Sequence, residues 1–111
     1  MEEASKPRLV FVIIYLQNPR EKYWGVLHDS TPAGVWMSGT GLRNLEEWLN
    51  FGFRQGDPPP AFTTTFFPMH RVEKITMDET EGGILSLKAT ILERTGTEPE
   101  SFFTRSGMVT H

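Results

Sequence analysis

A chain of 111 residues with 11 basic and 14 acidic side chains has the size of a single domain over residues 1–111, and its net charge of −3 repels polyanions as a whole. Eight Phe, three Trp and two Tyr supply large apolar area for one core, while ten Gly and eight Pro announce many turns. The absence of cysteine excludes disulfides, thiolate catalysis, iron–sulfur clusters and Cys-containing zinc sites, and fits a reducing compartment.

Residues 1–7 (MEEASKP) form a polar lead-in. LVFVIIYLQ (9–17) is β-branched, aromatic and apolar at nearly every position, which reads as a strand covered on both faces. Its apolar stretch from Leu9 to Leu16 is far short of the roughly 20 residues a membrane-spanning helix needs. Acidic Glu2 and Glu3, with no small-residue cleavage pattern after that stretch, point away from a signal peptide, so a cytoplasmic address is expected. Asn18-Pro19 opens a turn, YWGVLHDS (23–30) resumes as a strand, and Ser30-Thr31-Pro32 turns into a third strand at 33–39. There Ala33, Val35 and Met37 share one face, with Trp36 and Ser38 on the other.

Gly39-Thr40-Gly41 is read as a strand break, and Asn44-Leu45-Glu46-Glu47 as a capping box that starts a short helix stopped at Gly52. Leu45, Trp48 and Leu49 form its apolar stripe. RQGDPPPA (54–61) is a loop stiffened by three prolines, FTTTFF (62–67) a strand, and RVEKITMDE (71–79) another after the interruption at Pro68. Val72 is out of phase with Ile75 and Met77, which predicts a bulge near Glu73. After a turn at Glu81-Gly82-Gly83, Ile84, Leu87 and Ile91 fall on one helical face, flanked by Leu85 and Leu92. A helix over 84–95 ending at Gly96 is therefore expected. In the tail, 97–111, Phe102, Phe103, Met108 and Val109 suggest docking, with a partner subunit as one place for it.

Motifs that carry chemistry are sparse. His70-x-x-Glu73 places its two side chains on opposite faces of a strand, and His28-Asp29 diverge in the same way. The third histidine, His111, is terminal. No helix carries two histidines, so neither a metal nor a cofactor is expected. Gly39-Thr40-Gly41-Leu42-Arg43-Asn44 mimics a dinucleotide-binding turn, but Asn44 stands where the third glycine belongs. Asp78, Glu79 and Glu81 read as a solvated acidic turn. Trp24, Trp36 and Trp48 are expected to fill the core and the helix–sheet seam. The competing use, with Phe66 and Phe67, is a stacking surface for single-stranded bases near Arg20, Lys22, Arg43 and Arg71.

Two stretches together resemble a known family. FVIIYLQNPREKYWGVLHDS (11–30), with Gly25-Val26-Leu27 and Asp29, is similar to the first half of an Sm-like, or Hfq-like, domain. TTTFFPMHRVEKITMDE (63–79) is similar to the second half, with Phe67-Pro68-Met69-His70-Arg71-Val72 as the tight turn between the last two strands. The resemblance covers residues 10–79, interrupted at 41–61, and has Ala33-Gly34 where the family carries an Asn partner for Asp29.

It implies a mostly β fold, a small, strongly bent five-stranded antiparallel barrel with a short inserted helix and a C-terminal helix. It also implies edge-to-edge assembly into a homo-oligomeric ring and a non-enzymatic role with RNA or a protein as partner. Neither DNA coating nor membrane insertion is expected. Asp29, His70, Arg71, Trp24 and Lys22 are the candidate ligand- or RNA-binding residues, with no catalytic residue. The alternative is a small enzyme or small-molecule-binding domain with a cleft around His70, Arg71 and Trp24.

Overall fold

The structure, a computed structural model, describes residues 9–103. The chain forms β1 (Phe11–Leu16), β2 (Glu21–Thr31), β3 (Gly34–Gly41), α1 (Leu42–Glu47), β4 (Thr63–Pro68), β5 (Val72–Met77) and α2 (Leu87–Thr95). The strands make one antiparallel sheet in the order β4-β3-β2-β1-β5. The apolar stretch at 9–16 thus lies between β2 and β5 with both of its faces covered.

The five-stranded antiparallel sheet with two helices is as expected, but it is not closed into a barrel. β4 bonds to β3 and β5 to β1, but they do not bond to each other. Only the 3-10 turn Met69–Arg71 separates them, and extended backbone at Pro68 and Val72 flanks it. A single such turn bends the chain without reversing it, so β4 and β5 are carried to opposite edges of the sheet. The bulge is where the phase of the apolar residues puts it. Tyr15 pairs with Lys74 and Leu16 with Val72, leaving Glu73 as the extra residue.

One face of the sheet is built, among the described residues, without an α-helix. Val12, Ile14, Leu16, Val35, Met37 and Phe67 are buried there, and Tyr23, Leu27, Val72 and Ile75 pack around them. Among the described residues no α-helix contributes to this cluster, so the strands shield one another by curling. The Tyr23 and Phe67 rings accordingly meet at 4.9 Å although β3 lies between their strands. Gly25 and Gly39, paired directly across β2 and β3, permit this approach. A methyl group on Gly25 would collide with the Ser38 carbonyl oxygen, and one on Gly39 with that of Trp24. The predicted break at Gly39-Thr40-Gly41 is therefore absent, and β3 runs through it to Gly41.

The opposite face is covered by helices. Phe11, Trp24 and Val26 pack there against Leu45, Trp48 and Leu49, Ile91 of α2, and Phe103. The apolar stripe of α1 is the one expected, but its boundaries differ. The helix starts at Leu42 with no side-chain cap, and Asn44 lies inside it. Pairing of Gly41 with Tyr23 leads the chain straight from strand to helix, which leaves a capping box no room. Nor does Gly52 stop it. A π-helical turn, Trp48–Gly52, and a 3-10 turn, Phe53–Gln55, carry it to Gly56. The Trp48 indole donates to the Asp57 carbonyl at 3.0 Å and the Asp57 N–H to the Gly52 carbonyl at 2.9 Å, which holds this extension in place.

α2 begins later than its apolar spacing suggests. Ser86 caps it by accepting from the Ala89 N–H, while Ile84 and Leu85 precede it and are exposed. Gly96 ends it in the left-handed conformation with φ 74°, as the sequence predicts. Phe103 docks on this chain's own core, 5.6 Å from Phe11 and 5.7 Å from Trp24. Met108, Val109 and His111 lie outside the described residues.

Candidate functional site

The 3-10 turn is where three loops meet. Its Met69 N–H donates to the Ala33 carbonyl of the β2–β3 hairpin at 2.9 Å. On the other side, the Gln17 N–H donates to the Arg71 carbonyl at 2.8 Å and the Gln17 side chain to the His70 carbonyl at 3.1 Å. The fold therefore gathers the two segments that hold Asp29, His70 and Arg71.

Their side chains have different tasks. The Arg71 guanidinium donates to the Gln17 carbonyl at 3.1 Å and the Pro19 carbonyl at 2.8 Å, and meets Glu21 Oε1 at 3.3 Å. A planar fork with three acceptors in one turn acts as a strap across the β1–β2 connection. Asp29 accepts from the Ser30 N–H at 2.9 Å and so shapes its own hairpin. The His70 ring is exposed and forms no hydrogen bond to any described residue. Among the described residues, no three His, Asp or Glu side chains gather as metal ligands.

Trp24 is fully buried. Its ring stacks on Phe11 at 5.4 Å and its indole N–H donates to Asp78 Oδ2 at 3.0 Å, so no ring face is open to a base. Trp48 is likewise buried in the helix–sheet seam, as expected, whereas Trp36 is not. It is 45% exposed and packs against Phe66 at 5.1 Å beside the β4 edge. Lys22 stands at the open start of β2. Its ammonium lies 5.3 Å from the centre of the Tyr15 ring, and Lys74 covers the same ring at 4.6 Å.

The residue that sequence reasoning missed is Asp78. Far from being solvated, it is 7% exposed and accepts three hydrogen bonds. Besides the Trp24 indole, these come from the Leu87 N–H to Oδ1 at 2.7 Å and the Lys88 N–H to Oδ2 at 2.9 Å. It joins the end of β5, the core tryptophan and the first turn of α2, whose unpaired N–H groups favour a carboxylate. The signal was available in position. Asp78 directly follows a strand, on the same alternation as Lys74 and Thr76, whereas Glu79 and Glu81 belong to the exposed turn.

His28 and Ser38 present a nucleophile–base geometry, Nε2 to Oγ at 2.6 Å, with Ser38 Oγ also 2.7 Å from the Thr64 hydroxyl. Ser38 has no exposed surface, so no substrate reaches its oxygen, and the trio is a polar link across β2, β3 and β4. Comparison of the chain with protein-family models, curated proteins and solved structures returns no match.

Proposed function

We propose that this chain is a non-enzymatic scaffold of the Sm-like kind, which assembles edge to edge into a ring and takes RNA as its ligand. The observation that carries this reading is the pair of open edges. Among the described residues β4 and β5 each have a single strand neighbour, and only three residues connect them. Unpaired edges in one continuous ribbon favour a head-to-tail contact, in which one edge of a subunit pairs with the other edge of the next.

Both edges also carry apolar surface. Trp36 and Phe66 lie by β4, Met77 is more than half exposed in β5, and β4 contains no charged residue that would repel a partner strand. The strand order and the one-turn link between the last two strands add support to the resemblance in sequence. Light scattering of the purified protein tests the assembly. The expected result is one species of several subunits at micromolar concentration, and a monomer there overturns the reading.

A further inference from the structure

The chain carries more acid than base, yet it leaves three cations together. The β1–β2 hairpin delivers Arg20 and Lys22 to the start of β2, and the pairing of Gly41 with Tyr23 brings α1 beside them with Arg43 in its first turn. Between them is a cleft of about 630 Å³, lined by Arg20, Lys22, Tyr23, Arg43, Asn44 and Glu46 among others.

Among the described residues Lys22 touches only the Tyr15 ring, and the two arginines are not consumed by the fold. Arg20 and Arg43 are exposed and form no ion pair or hydrogen bond with any described residue. Arg71, in contrast, spends its guanidinium on the neighbouring turn and in doing so neutralises Glu21, the other carboxylate of the cleft. Glu46 is left as the one unneutralised acid there against three cations. The cross-strand row Lys74, Tyr15, Lys22 continues the positive surface from the cleft over β1 to β5.

We propose that this cleft binds a phosphate ester, either a nucleotide or the backbone of single-stranded RNA. Two guanidinium forks and an ammonium suit phosphate oxygens, because arginine pairs with them through two parallel N–H donors and lysine as a point charge. The Asn44 amide adds a neutral donor. The volume falls within the few hundred to about 1,000 Å³ usual for a small-molecule site. The site lies within one chain, at the end of the central strand and away from both edges, and stands whether or not subunits assemble. Only its RNA form rests on the reading above.

The test measures binding of a labelled oligouridine by fluorescence anisotropy, and of uridine monophosphate by calorimetry, to the full chain at two salt concentrations. Arg43→Glu and Lys22→Glu are each expected to weaken binding about tenfold, a difference of about 1.4 kcal/mol. Raising salt weakens it further, as counterion release requires. Arg54→Gln, at an exposed cation outside the cleft, is expected to leave binding unchanged. Tighter binding of the oligonucleotide assigns the site to RNA, and equal affinity for both probes assigns it to a small phosphate ester. Arg43→Gln, which removes the charge without reversing it, and the native mass of every variant separate loss of the site from loss of fold or assembly. No binding of either probe at low salt overturns the proposal, as does binding that neither Arg43→Glu nor Arg43→Gln alters.

Discussion

The two faces of the sheet reach the same degree of burial by different means. One is almost wholly aliphatic and made by strands that curl over one another, so each member is where its own alternation puts it. The other is largely aromatic and made by residues from remote segments, from Phe11 to Phe103, and a buried carboxylate ties it together. Burial by alternation is a local property and spreads its energy over many small contacts. Burial by docking concentrates it in a few anchors, and those anchors are where substitution acts selectively.

The largest effect is expected where both faces depend on one point. Gly25→Val puts a branched side chain into the Ser38 carbonyl, and circular dichroism of the variant should show no cooperative unfolding transition. Native-like melting would mean that the curl does not depend on the glycine pair.

Asp78→Ala separates the faces. It strips the acceptor from three buried or half-buried N–H donors and should cost about 4 kcal/mol in urea unfolding, with Asp78→Asn losing about half as much. Hydrogen exchange should speed up in α2 before β1. Uniform acceleration would show that the helix-covered face is not a separable unit. Ile14→Val, on the aliphatic face, is the smallest change. It should cost about 1 kcal/mol and lower protection evenly across the sheet.

The same difference explains what the sequence reveals. The strands, the bulge at Glu73, the α1 stripe and the Gly96 stop are legible because alternation, helical spacing and glycine chemistry act within a few residues. The continuation of β3 through Gly39 is not, because those glycines answer to a backbone on another strand. Ile84 falls on the helical face of α2, but the cap at Ser86 excludes it.

Site reading divides along the same line. Lys22 faces the basic cleft, while Arg71, equally cationic in sequence, is claimed by carbonyls some fifty residues away in the chain. Trp24 needed Asp78 to explain its burial, and that carboxylate is indistinguishable in composition from its exposed neighbours Glu79 and Glu81.

The bond between the Trp24 indole and Asp78 gives the molecule a built-in optical gauge. Trp24 is sealed and anchored to a negative charge, Trp48 is held by a carbonyl, and Trp36 faces outward. Three indoles in three surroundings emit at different wavelengths and differ in their access to a dissolved quencher. Lifting α2 from the sheet would redden Trp24 while leaving the emission of Trp36 in place, so a single spectrum tells detachment of one helix from collapse of the whole chain.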